Sequence, residues 1–368
     1  MTFKPKDADH PRYKIDMSED KYLTQYDRFL NLLFYSKEIP HDIYFRMNHM
    51  SCENYRKILS ILRKRELIKS IRKDGIVSYT LTTKGKSLTK QPRYKKYADC
   101  FENDKRQYDI KHRARKWQLA KLYALFDRMG IPYESFAKPS LDMGTVLGDE
   151  VYFYTSLDFK RKWRLEVTPF VGSRLLGFLI GNCRIIPVYR TNQMLMTFGS
   201  HEVLVPEFMK RYFSVPVDSA VLICEGKRAV GDITKQIIHN IPGASNGNIN
   251  TAQYKEFYVF ADDDSFLDHY TDLYDDLSVI EQRIISEYNI DTSETDYSGS
   301  YRYMPGTGYI GDVPVLVFPG NVNAVELKRF IHDVRLRGYI KSLIFCRQRD
   351  VECVEAVTSG TSIITVGV

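Results

Sequence analysis

The stretch LIKSIRKDGIVSYTLT, residues 67–82, sets two runs rich in β-branched residues on either side of Asp74-Gly75. Asp-Gly between two such runs marks a two-residue hairpin turn, because glycine adopts the positive φ of that turn without steric cost. Arg72 and Lys73 then stand at the tip. Upstream, Tyr22, Tyr26, Phe29, Leu30 and Leu33 recur at helical spacing, SKEIP interrupts them, and a short helix fits residues 41–47. Ser51 is placed to cap a third helix running to residue 65, with Tyr55, Ile58, Leu59 and Leu62 facing inward. Its other face carries Arg56, Lys57, Arg63 and Lys64.

Three helices followed by a basic-tipped hairpin is the order of a winged helix-turn-helix. In that arrangement the third helix enters the major groove of double-stranded DNA, while flanking bases meet phosphates. The expected DNA-binding set is therefore Arg56, Lys57, Arg63, Lys64, Arg72 and Lys73. The alternatives are a protein-docking use of the same module and, for any single base, a solvated helix face.

Charge distribution supports a polyanionic partner. Residues 51–121 carry a net charge of +14, within a chain whose total is +7. Residues 262–296 carry −11, with Arg283 as the one base. A basic segment of that density most commonly neutralises phosphate, and the asymmetry suggests an oriented contact.

The 368 residues allow two or three domains, and 43% hydrophobic content suits a chain with a packed core. No apolar run is long enough to span a bilayer, and MTFKPKDADHPRYK lacks the apolar core of a secretory signal. The cysteines at 52, 100, 183, 224, 346 and 353 form no C-x-x-C pair. The expectation is a cytoplasmic, reduced protein with neither a disulfide framework nor a zinc knuckle.

The organisation expected is a winged helix-turn-helix over residues 1–95, a basic linker and helix over 96–130, and an α/β domain over 131–368. The fold class is α/β, or α+β taken over the whole chain. In the second half, strands fit 151–159, CRIIPVYR, QMLMTF, 220–225, 256–261, 313–318, 342–346 and the final SIITVGV. Helices fit 171–180, 202–213, 227–239, 266–288 and 324–337, with a short one after 346. Continuous apolar strands alternating with amphipathic helices imply a sheet covered on both faces.

Several chemistries find no support. No two histidines lie within two positions of each other, and the chain has no P-loop, no G-x-G-x-x-G after a strand and no G-x-S-x-G elbow. FADDDS, residues 260–265, could hold magnesium at a strand end, but three acids there fit helix capping better. LDMGTVLGDEVYFYTSLDFK, residues 141–160, reads as a hairpin turning at Gly148-Asp149. It places Asp142 fifteen residues before Asp158-Phe159-Lys160, a D-x(n)-(D/E)-x-K pattern. In that plan two carboxylates hold Mg2+ or Mn2+, and a lysine on the same strand face orients the attacking water. The alternative is an ordinary polar-tipped hairpin.

The order winged helix, basic linker, VYFYTSLDFK and then GSRLLGFLIGNCRIIPVYRTNQMLMTF resembles the replication-relaxation family of mobile elements. It is also similar to mobilisation relaxases with restriction-endonuclease-like cores. The resemblance implies nicking or processing of an origin of transfer or replication, with Asp142, Asp158 and Lys160 as catalytic candidates. Asp142 and Asp158 would be the metal ligands. Asp158 stands where the pattern usually has glutamate, and no proline precedes Asp142. A non-cutting initiator, accessory factor or transcriptional regulator is the alternative. Its α/β domain would form homo-oligomers or dock other mobilisation or replication proteins. No membrane partner is expected.

Overall fold

The computed structural model describes residues 25–47, 50–73, 75–101, 110–141, 148, 150–162, 174–181, 183–191, 200–213, 215, 217–241, 251–263, 277–291, 307–318 and 323–367. The chain is a mixed α/β protein that divides into two compact units, 1–137 and 138–368. Among the described residues no helix is long and apolar enough to cross a membrane.

In the first unit, α1 (Gln25–Ser36) leads through β1 (Glu38–Pro40) and a 3-10 helix (His41–Arg46) to α2 (Cys52–Lys64). Ser51 caps α2 as its sequence indicates, its Oγ accepting from Asn54 N at 3.1 Å. The antiparallel hairpin of β2 (Ile68–Lys73) and β3 (Ile76–Leu81) follows, and β1 pairs with β3 on its other side. Lys73 pairs with Ile76, and Gly75 between them takes φ +76°. A short helix α3 (Thr83–Lys86) presses onto the start of β2. There Gly85 is required, since a Cβ would lie 2.0 Å from the Leu67 carbonyl oxygen.

Two 3-10 helices (Ser87–Lys90 and Pro92–Phe101) and α4 (Ile110–Met129) complete this unit. Residues 96–130 read as a linker and helix, yet much of the segment is core. Tyr97 stacks on Phe34 with ring centroids 4.6 Å apart, and Trp117, Leu122, Tyr123 and Phe126 are buried. The unit accordingly runs on to Ala137. Enclosed by these elements, α1 is buried nearly all round: Phe29, Leu30, Leu33 and Phe34 are fully inaccessible.

The second unit opens with β4 (Tyr152–Thr155), α5 (Ser156–Lys162), β5 (Leu175–Gly181), β6 (Arg184–Thr191) and α6 (Ser200–Phe213). It continues with β7 (Ser219–Cys224), α7 (Lys227–His239), β8 (Glu256–Ala261), α8 (Leu277–Glu287), β9 (Thr307–Ile310) and β10 (Val313–Phe318). Helix α9 (Ala324–Arg337), β11 (Ser342–Cys346), α10 (Val351–Thr358) and β12 (Ile363–Gly367) close the chain. Among the described residues its strands form two sheets, not the one sheet the alternation implied. One has the order β4-β5-β6-β7-β8, antiparallel up to β6 and parallel beyond it. The other has the order β12-β11-β10-β9, with β9 the antiparallel member. Asn323 ties β8 to α9: its Oδ1 accepts from Phe257 N at 3.1 Å and caps the helix at Glu326 N.

Two sequence expectations are corrected. Residues 171–180 were expected as a helix, but Leu175–Gly181 is a strand buried along its whole length. An apolar run with no polar face has no period to read, so helix and strand look alike. Gly177 reflects the strand pairing, since a Cβ there would meet the Tyr154 carbonyl oxygen at 2.2 Å. The strand expected over 151–159 ends at Thr155, and Ser156–Lys162 is helical. QMLMTF lies outside the described residues, as does most of the first half of the helix expected over 266–288.

Candidate nucleic-acid interface

One face of α2 builds the core of the first unit, through Tyr55, Ile58, Leu59 and Leu62. The other presents Asn54, Arg56, Lys57, Ser60, Ile61, Arg63 and Lys64 to solvent. Arg72 and Lys73 are exposed at the end of β2, beside the turn. All six bases expected from the sequence therefore lie on the outer surfaces of α2 and the hairpin.

They are not equivalent. Lys57 Nζ pairs with Glu53 Oε1 at 2.7 Å, an exposed i,i+4 contact that a phosphate can displace at little cost. Arg63 lies over the Tyr79 ring, 5.2 Å from its centroid, and so is anchored to β3. The Tyr79 hydroxyl in turn meets His41 Nδ1 at 2.9 Å, and burial raises its pKa against the opposing pull of Arg63. Arg56, Lys64 and Arg72 make no ion pair among the described residues, and remain the groups best placed to meet a polyanion. The amino end of α2 adds its own positive field.

Sequence reasoning missed the cluster beneath this surface. Glu38 Oε1 in β1 accepts from Arg113 Nε at 2.9 Å, from Trp117 Nε1 at 2.9 Å and from Ser78 Oγ at 2.5 Å. Arg113 also donates to Ser78 Oγ at 3.1 Å and lies against the Trp117 ring. Both charges are buried, at 2% and 3% exposure. The cluster pins α4 to β1 and to β3, and so fixes the strand behind the hairpin. No local pattern announces it, since Glu38 and Arg113 are 75 residues apart.

Of the nuclease candidates, Asp158 and Lys160 fall within the described residues. Asp142 and Asp149, the latter expected at a turn, lie outside the described residues. Asp158 and Lys160 stand on α5, not on a strand, and residues two apart on a helix do not share a face. Thr155-Ser156-Leu157-Asp158 is a capping box: Asp158 Oδ2 accepts from Thr155 N at 2.7 Å, and Asp158 N donates to Thr155 Oγ1 at 3.3 Å. The same Oδ2 accepts from Thr155 Oγ1 at 2.9 Å and from Lys138 Nζ at 2.8 Å. Lys138 is nearly buried, at 5% exposure.

An ammonium and two further donors thus converge on the one oxygen Oδ2 of Asp158. Among the described residues no group of three or more His, Cys, Asp or Glu side chains could hold a metal ion. At the end of β8, Asp262 Oδ1 accepts from Gly226 N at 3.3 Å and thereby braces the turn into α7.

Asp158→Ala removes both the cap and the counter-ion of Lys138. It is expected to destabilise the second unit by about 3 kcal/mol, while Asp158→Asn, which keeps an acceptor, loses less. Urea unfolding of the two variants checks this, and equal, negligible losses would contradict the capping role. Comparison of the chain with protein-family models, with curated proteins and with solved structures gives no match.

Proposed function

We propose that residues 25–137 form a winged helix-turn-helix that binds double-stranded DNA, with α2 in the major groove and the β2–β3 hairpin along the backbone. The carrying observation is that Arg56 and Lys64 on α2 and Arg72 at the hairpin are all exposed, while the reverse faces of both elements build the core. The chain is then a DNA-binding protein of a mobile element, acting in the cytoplasm as an initiator, accessory factor or regulator. Its second unit serves oligomerisation or the docking of other mobilisation or replication proteins. This reading is favoured over the Mg2+- or Mn2+-dependent nickase because Asp158 Oδ2 already serves Lys138 and the helix cap at Thr155.

Binding of the full chain to duplexes of varied sequence tests the docking. Arg56→Ala and Lys57→Ala should erode the preference among sequences, by about 1–3 kcal/mol for a bidentate base contact. Arg72→Ala and Lys73→Ala should weaken all duplexes alike. Identical behaviour of the four variants on matched and scrambled duplexes would contradict the orientation. Incubating the wild-type chain with supercoiled DNA and Mg2+ or Mn2+ decides the rival. Nicking that disappears in Asp158→Asn, a variant that keeps DNA binding, would restore the nickase.

A further inference from the structure

The first unit carries a second basic surface on the far side of α1 from α2. From Lys84 to Lys96 the sequence holds Lys84, Lys86, Lys90, Arg93, Lys95 and Lys96 and no acid. The second 3-10 helix of this stretch, Pro92–Phe101, repeats every three residues, so Tyr94, Tyr97 and Cys100 share one side. That side packs on α1, with Tyr94 and Tyr97 rings 5.8 and 4.6 Å from the Phe34 ring. Lys95 and Lys96 consequently face solvent, together with Asp99, and Lys90 is exposed just before them.

Several of the cations on this flank lie over rings. Lys96 Nζ sits 4.1 Å from the centroid of Phe136, itself 43% exposed. At the other end, Lys37 and Lys86 lie 4.3 and 5.5 Å from the Phe101 centroid. A cation over a ring face is attracted by the ring quadrupole and stays available to an anion on its outer side.

The helical period of α1 fixes where this surface lies. Asp27 and Phe34 are seven residues apart, about two turns, and project from one side. They meet the 3-10 helix, Asp27 through Arg93 at 2.5 Å and Tyr94 at 3.2 Å. Gln25 and Phe29 project from the opposite side, about 160–200° round from Asp27 at roughly 100° per residue. They meet α2, Gln25 through Asn54 at 3.2 Å and Phe29 through Tyr55 with centroids 5.7 Å apart. The two basic surfaces thus sit on opposite flanks of one buried helix.

We propose that Lys90, Lys95 and Lys96 form a second DNA-backbone contact, so that one chain holds two duplex segments at once. This rests on the reading of α2 and the hairpin as the first contact. The second site takes phosphodiester backbone, whose phosphates recur at every step and meet exposed ammonium groups as point charges.

Full-length protein is loaded to saturation on an immobilised short duplex, and capture of a second, labelled duplex is measured. Wild type should capture it. The triple variant Lys90→Glu/Lys95→Glu/Lys96→Glu should lose about tenfold or more of that capture while its affinity for the first duplex stays within about twofold, as expected for losing three phosphate contacts on a separate site. Capture retained by the triple variant would overturn the proposal, because bridging would then come from two α2 surfaces in a dimer. A triple variant that loses affinity for a single duplex as strongly as an Arg56→Glu/Lys64→Glu variant does would overturn it too. If Arg56→Glu/Lys64→Glu still binds and bridges normally, the failure lies instead in the assignment of α2.

Discussion

Replacing Glu38 by alanine is expected to destabilise the first unit by about 3–5 kcal/mol, the range for breaking a buried ion pair from one side. The guanidinium of Arg113 would stay at 2% exposure without its carboxylate, and Trp117 Nε1 and Ser78 Oγ would lose the same acceptor. Glu38→Gln keeps an acceptor and loses only the charge, so its cost should be intermediate. The paired replacement Glu38→Leu/Arg113→Met should recover most of the loss, because two apolar groups leave no charge stranded. Chemical denaturation of the full chain measures all three. A Glu38→Ala penalty under about 1 kcal/mol would mean that the cluster does not hold α4 against the sheet.

The second large effect concerns affinity. The triple variant Arg56→Glu/Lys64→Glu/Arg72→Glu should weaken duplex binding by about a thousandfold at physiological salt, through lost counterion release and added repulsion. These side chains are exposed and support no packing, so the variant should unfold at the wild-type denaturant concentration. Loss of binding with unchanged stability assigns the effect to the surface. An affinity within about threefold of wild type would remove α2 and the hairpin from the interface, since each phosphate contact alone is expected to matter more than that.

Much of the architecture was legible because its signals are local. Helix Ala324–Arg337 opens on Asn323, whose side chain caps it, and stops at Gly338 with φ 65°. Strands Glu256–Ala261 and Val313–Phe318 are short apolar runs bounded by polar or glycine-bearing segments, and they fall at the expected residues. The hairpin at Gly75 and the cap at Ser51 were readable for the same reason. What failed was either ambiguous or long-range. LLGFLIG carries no period, so its strand state depends on pairing with β4 and β6. TSLDFK was expected to continue a strand, but its local capping box opens a helix at Ser156. The Glu38–Arg113–Trp117 cluster joins segments 75 and 79 residues apart, beyond any window of sequence. The individual worth of the bases was hidden too: that Arg63 rests on Tyr79 while Lys64 stands clear depends on the turn of α2 over β3.

The salt dependence of duplex binding tests the central claim most directly. Affinities of the full-length wild type and of Arg56→Ala/Lys64→Ala/Arg72→Ala are measured on one duplex across a series of salt concentrations. The logarithm of the wild-type association constant should fall linearly with the logarithm of salt, and the triple variant should show a slope shallower by about 2–3, close to 0.9 per lost phosphate contact. Equal slopes for the two proteins, or wild-type binding indifferent to salt, would contradict the winged-helix account.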